Sequence, residues 1–251
     1  MAGDYNTYDV ALSGTATLTK PSNTVEGDYI LILATRFDSS SSADPSSGPS
    51  GFGAHLAKRV GSGADYVLQW VYGKIAGSSE PSSYDITWTS GNQRTSACII
   101  RIPAGTFDPI SPIDTISNDE YITGDTTMRA GAVSISNNSS IVAFLGSVRS
   151  TSSVTITDPS GFSGGVQWGS TDSDLWSTIC FDTLDSGSNG PFDATLSASF
   201  SIYKHSFAVV FNPYVEPAYR FLGTMRRFSI FNTVLNAHEI KALHNRARLN
   251  N

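Results

Sequence analysis

The chain has 251 residues, of which 39% are hydrophobic and only 15% charged, with a net charge of −6. It is long enough to bury a substantial core, and its charged fraction falls well below the roughly 25% usual in soluble domains. The negative balance excludes nucleic acid as an expected partner, because that affinity needs phosphate-neutralising Lys and Arg, and no apolar run approaches the ~18 residues of a membrane span.

Met1-Ala2-Gly3-Asp4-Tyr5 lacks the basic start and apolar stretch of a signal peptide, so synthesis in a cytoplasm is expected. Thr15, Thr17 and Thr19 then alternate with Ala16, Leu18 and Lys20, the period of a half-buried strand. Tyr29 to Ala34 is short, continuous and apolar after the Gly27-Asp28 turn, as a central sandwich strand would be. Ser39 to Gly51 has low complexity and is expected to form a long exposed loop. Three more strands are expected at Asp65 to Ile75, Tyr84 to Thr89 and Ala97 to Ile102, the last ended by Pro103. Pro103 to Asn118 is read as a linker, after which the pattern recurs: Ile141 to Leu145, Leu175 to Thr183, Ala194 to Ser199 and Phe207 to Phe211, with a loop at Asp185 to Pro191.

The recurrence has an offset of 110 residues. Ala11 to Leu18 falls on Tyr121 to Met128, Pro49-Ser50-Gly51-Phe52 on the identical Pro159-Ser160-Gly161-Phe162, and Ala97 to Pro103 on Phe207 to Pro213. A one-residue gap aligns Trp70-Val71-Tyr72 with Ile179-Cys180-Phe181. The expected fold is therefore an all-β, antiparallel, jelly-roll-like β-sandwich built from an internal duplication. Its units span about 8–103 and 118–213 within a body of 1–213, and residues 214–251 add a closing strand and one short C-terminal helix. The units could be separate small sandwiches or could interleave as one pseudo-two-fold domain. The open edges of a thin sandwich favour interleaving.

In the tail, Tyr219 to Phe231 reads as a strand, and Asn236 with Glu239 forms a capping-box-like helix start flanked by Leu235 and Ile240 as a hydrophobic staple. Arg226, Arg227, Lys241, Arg246 and Arg248 make this end basic against an acidic body. They are the candidate assembly contacts, including contacts with further copies of the chain, although a solvated helix face accounts for them equally well.

Reactive constellations are sparse. Gly161-Phe162-Ser163-Gly164-Gly165 fits G-x-S-x-G, but Val166 to Ser170 looks turn-like where that motif needs a helix, so a Gly-rich turn is expected. His55, His205, His238 and His244 show no metal-ligand spacing and are expected to face solvent. Asp172-Ser173-Asp174 lacks the rest of a calcium loop, and Asp114, Asp119 and Glu120 are read as loop acids. Cys98 and Cys180 sit in apolar runs and are expected as buried free thiols. Trp70, Tyr72, Tyr84, Trp88, Trp168 and Trp176 could stack on sugar rings, but shared strand parity with Ile86 points to a core. Trp88 and Trp168 are the glycan-contact candidates. No cofactor or metal is expected, and the chain is read as non-enzymatic.

Two stretches carry a resemblance. Glu26-Gly27-Asp28-Tyr29-Ile30-Leu31-Ile32, Pro49-Ser50-Gly51-Phe52, Tyr72-Gly73-Lys74-Ile75-Ala76 and Ser79-Glu80-Pro81-Ser82-Ser83-Tyr84 together resemble a domain of tailed-bacteriophage virion proteins. That domain has a Gly-Asp-led strand, a Pro-x-Gly-aromatic turn, a Tyr-x-Lys-Ile-Ala strand and a Ser-Glu-Pro turn. The chain departs from it in having Phe52 where Trp is usual, and in a second copy without the Lys-Ile-Ala and Glu-Pro pieces. Phe221 to Phe231 followed by Leu235 to Leu243 is similar to the end of laminin-G-like, concanavalin-type jelly rolls. The resemblances imply a structural component of a tailed-phage virion at the particle surface. It would be a capsid decoration or cement protein, or a tail or fibre accessory, with major capsid or tail proteins and copies of itself as partners. The alternative is a lectin-like module binding host-surface glycans. A polysaccharide hydrolase is a weaker third reading.

Overall fold

The computed structural model describes residues 5–13, 15–38, 45–62, 65–88, 93–117, 119–120, 126–170, 174–197 and 204–215. Every regular element among them is a strand, in agreement with the all-β expectation. The tail strand, the capped helix and the basic residues Arg226, Arg227, Lys241, Arg246 and Arg248 lie outside the described residues.

The first half contains β1 (Tyr5–Ser13), β2 (Thr15–Thr19), β3 (Tyr29–Asp38), β4 (Pro45–Ser47), β5 (Gly53–Ser62), β6 (Asp65–Ile75), β7 (Ser83–Trp88) and β8 (Gln93–Ile102). The second contains β9 (Ile113–Ile116), β10 (Asp119–Glu120), β11 (Thr127–Ala130), β12 (Val133–Ile135), β13 (Ser140–Arg149), β14 (Ile156–Thr157), β15 (Ser163–Ser170), β16 (Leu175–Leu184), β17 (Gly187–Asn189), β18 (Phe192–Leu196) and β19 (Lys204–Phe211).

In the first half a five-stranded sheet, β1-β8-β3-β6-β5, faces a three-stranded sheet, β2-β7-β4. In the second, β9-β19-β13-β16-β15 faces β10-β11-β18-β14, and β12 pairs with β17 separately. All these pairings are antiparallel. Each sheet draws its strands from one half only, so among the described residues the halves do not interleave as the edge argument favoured. The halves join by their faces instead. The two five-stranded sheets pack against each other and share one core, which holds Leu31, Leu33, Ile100, Ala143, Leu145 and Val209. A second core lies between the first half's two sheets and a third within the second half, giving four layers.

This layering explains the sequence pattern. Strands β3, β8, β13 and β19 lie between two cores and are apolar on both faces, which makes their runs continuous. The outer strands β2, β7 and β18 face solvent on one side and alternate buried with exposed residues. Some expected loops carry short strands: Pro45–Ser47 pairs with β7, Ile113–Ile116 with β19, and Gly187–Asn189 with β12. Pro45 is tolerated because it opens its strand on a sheet edge.

The halves run the same strand order, but not at one constant offset. Leu33 pairs with Val71 and Cys98, and Leu145 pairs with Ile179 and Phe207, all six facing the shared core. The offset is thus 112 for Leu33 to Leu145, 108 for Val71 to Ile179 and 109 for Cys98 to Phe207. The Pro-Ser-Gly-Phe turn and the strand after it keep 110, with the same bulge following Ala54 and Ser163. The sequence match of Ala97 with Phe207 sets an outer-core residue on a shared-core one. A one-residue slip along a strand inverts every side chain, so facing overrules that match.

Candidate functional site

The residues that carry the phage-domain resemblance meet on the first half's outer flank. Pro49-Ser50-Gly51-Phe52 forms a β-turn, with Phe52 N–H donating to the Pro49 carbonyl at 3.2 Å and Gly51 at φ 81°. A positive φ at the third turn position requires glycine in practice. The turn delivers the Phe52 ring edge-on to Tyr84 at 5.0 Å. Lys74, from β6, holds its ammonium 5.2 Å from the Phe52 ring and 5.3 Å from the Tyr84 ring. Glu80, in the turn between β6 and β7, accepts from Lys74 Nζ at 2.6 Å, the Tyr84 hydroxyl at 2.5 Å and Gly77 N–H at 2.7 Å.

Burial by itself would raise the Glu80 carboxyl, but hydrogen bonds from Lys74, Tyr84 and Gly77 outweigh it and hold the group below the usual carboxylate range. Burial, then the hydrogen bond to Glu80 and its charge, push the Tyr84 phenol up. Each polar group satisfies another, and the cluster pins the β6–β7 turn to the sandwich. Its chemistry is that of a clamp.

The Gly27-Asp28 piece is tied to the same strand. Gly27 N–H donates to the Ala76 carbonyl at 2.9 Å, and Ala76 N–H to the Asp28 carbonyl at 2.7 Å. The Asp28 side chain, fully buried, accepts from Arg101 Nε at 2.5 Å, Val25 N–H at 2.8 Å and Ala104 N–H at 2.9 Å. Burial would raise this carboxyl, and Arg101 with the two backbone donors brings it below its ordinary value. Beside it, the Tyr29 hydroxyl bonds His55 Nε2 at 2.6 Å. Burial lowers the His55 pKa and raises that of Tyr29.

The second half repeats the frame without the ion pair. Phe162 N–H donates to the Pro159 carbonyl at 3.1 Å, Gly161 has φ 92°, and Phe162 meets Phe192 at 5.2 Å as Phe52 meets Tyr84. The β16 register places Asp182 where β6 has Lys74, and its Oδ1 accepts from Thr183 N–H. A shallow hollow of about 110 Å³ lined by Ile141, Ser163, Phe181, Asp182 and Thr183 adjoins it.

The remaining sequence candidates fall elsewhere. Trp88 is 4% exposed and packs on Trp70 at 4.8 Å, while Trp168 is 7% exposed within the shared core. Neither offers a ring face to a sugar, which corrects the glycan-contact assignment; these rings fill strand positions between sheets. Ser163 begins β15, and Val166 to Ser170 continue it as strand rather than turn, so no helix follows the G-x-S-x-G stretch. His205 is buried rather than solvent-facing. Asp174 is buried and paired with Arg94, and Asp114 accepts from Ser136. His238 and His244 lie outside the described residues. Cys98 and Cys180 are buried and free, as expected. Among the described residues no His/Cys/Asp/Glu group is arranged to hold a metal ion, and no helix is long and apolar enough to cross a membrane.

Sequence reasoning overlooked a polar row inside the shared core. Thr35 Oγ1 and Ser147 Oγ are 2.8 Å apart, Ser147 bonds Ser177 at 2.8 Å, and His205 Nδ1 bonds Gln69 Oε1. Its signal was present as small polar residues interrupting otherwise apolar central strands. Comparison of the chain with protein-family models, with curated protein sequences and with solved structures finds no match to any of them.

Proposed function

We propose that this chain is a non-catalytic structural component of a tailed-phage particle. It is made in the host cytoplasm and carried at the virion surface as a capsid decoration or cement protein, or as a tail or fibre accessory, against major capsid or tail proteins and copies of itself. The observation that carries this reading is the meeting of Phe52, Lys74, Glu80 and Tyr84 in one clamp. The motif pieces of the resemblance are far apart in sequence yet act as one packing device, as family-defining residues of a scaffold should. A particle component needs large specific surfaces and no reaction centre, and the four-layer body offers several outer strand edges for contact.

The same reading takes each half as a jelly roll and the two as a duplication. Strand order β1-β8-β3-β6 against β2-β7-β4 is the jelly-roll order, with the fifth strand moved beside the sixth. The repeated turn, repeated bulge and matching order support a common ancestral unit. The buried Trp88 and Trp168 remove the specific support for a glycan-binding role. Mass spectrometry of purified particles tests the assignment. The chain is expected in intact virions and retained by one subassembly on dissociation, and its absence from washed particles would refute the proposal.

A further inference from the structure

We infer that the inner face of each half is a self-complementary, isologous surface, so that the chain is a covalently joined pseudo-dimer with a two-fold axis running along β3 and β13. The inference rests on the strand equivalences and not on a particle role. On an isologous interface a residue meets its own equivalent only at the axis, and every off-axis contact has a mate on the other side. By pairing register and facing, Thr35 is equivalent to Ser147 and Phe37 to Arg149. Both equivalents touch: the hydroxyls of the first pair are 2.8 Å apart, and the Arg149 guanidinium lies 3.8 Å above the Phe37 ring. Two such contacts, two residues apart on the same strands, set the axis along the strand direction.

The off-axis contacts obey the same operation. Gln69 of β6 bonds His205 of β19 across the seam. A two-fold along β3 and β13 carries β6 to β16 and β8 to β19, so this contact has its mate between β8 and β16. Gln69 is equivalent to Ser177 and His205 to Ser96, both buried at the same level. Arg94 of β8 paired with Asp174 beside β16 lies on that same flank. The partner such a face fits is a second sandwich of its own kind, and the linked second half now holds that place.

The test moves one pair across the axis in the full chain. Gln69→Ser with His205→Ser should lower the folding equilibrium constant by about tenfold or more, measured by urea unfolding, as expected for loss of a buried hydrogen bond. Adding Ser96→His and Ser177→Gln to that double variant rebuilds the pair at the mate position with seam composition unchanged, and should recover most of the loss. A quadruple variant that is less stable than the double, or fails to fold where the double folds, overturns the inference. If the double variant itself does not fold, Ser96→His and Ser177→Gln are added singly and together to the unaltered chain. A combined variant more stable than the sum of the two single losses supports the two-fold, and additive or worse losses refute it.

Discussion

Replacing Glu80 with alanine removes the one acceptor that three donors share. Its side chain is 7% exposed and that of Lys74 16%, so water can recover only part of what is lost. Hydrogen bonds to a charged group contribute about 1.5–3 kcal/mol each when nothing replaces them. Partial rehydration of Lys74 and of the Gly77 N–H brings the expected net loss to about 3 kcal/mol. For a body of this size that corresponds to a fall in Tm of roughly 6–12 °C. Glu80→Gln keeps an acceptor for Tyr84 and Gly77 but loses the charge facing Lys74, and about half the effect is expected. The control is Asp182→Ala in the second half, which removes the group at Lys74's equivalent position but only one local backbone bond, with a loss of about 1 kcal/mol or less expected. Urea unfolding followed by tryptophan fluorescence reports directly, because Trp70 and Trp88 lie in the same outer core. The Glu80 carboxyl is held below its ordinary pKa in the folded state. Its stabilisation is therefore present above the unfolded value of about 4.3 and lost as pH falls through the folded value, so the acid limb of the stability curve should be flatter for Glu80→Gln. A Glu80→Ala loss below about 0.5 kcal/mol, the level of an ordinary surface substitution, would refute the clamp.

Asp28→Asn leaves Arg101 facing a neutral group in a buried position, and a loss of about 3 kcal/mol is expected in thermal unfolding. Gly73→Ala drives a methyl group into the Tyr29 hydroxyl and the His55 ring, and overpacking there should cost about 2 kcal/mol in urea unfolding. Cys98 and Cys180 are 1% and 0% exposed, and burial pushes both thiols up. A thiol reagent should therefore label neither cysteine in the native protein at neutral pH, and both on unfolding.

What the sequence disclosed followed the physics of each signal. The Pro-Ser-Gly-Phe turns were legible because a glycine forced to positive φ leaves the same four letters in both halves. Strands β2, β3, β6, β7, β8, β13, β16 and β19 were legible from alternation or from continuous apolar runs, but β5 and β15 were not. Long-range stacking was not legible, because periodicity tells how many faces a strand buries and not which sheet covers each one. Nor could the drift in offset be read: matching letters gave Ala97 with Phe207, while only pairing partners show that Ala97 faces outward and Phe207 inward. The clamp was half visible. Phe52, Lys74, Glu80 and Tyr84 stood out as motif letters, but their meeting depends on the pairing of β5 with β6 and on the β6–β7 turn, whose geometry no local pattern specifies.

The layering also bears on where the two halves differ. A side chain of the shared core packs against the other half, so a change at Leu33 or Leu145 must be accommodated by both sheets at once. A side chain of an outer core answers only to its own half. The outer flanks differ in chemistry, with Lys74, Glu80 and Tyr84 on one and Asp182 and Phe192 beside the second turn on the other, whereas the shared core differs in size, with Leu31 opposite Ala143 and Cys98 opposite Phe207 in the strand equivalence. The Thr35–Ser147 and Gln69–His205 contacts between the two sheets tighten this constraint. Buried polar groups that bond only in one relative placement of two sheets penalise every slipped placement by leaving a donor or acceptor unmet. Apolar contacts alone would tolerate a shift of one sheet over the other, whereas these polar contacts favour one stacking register.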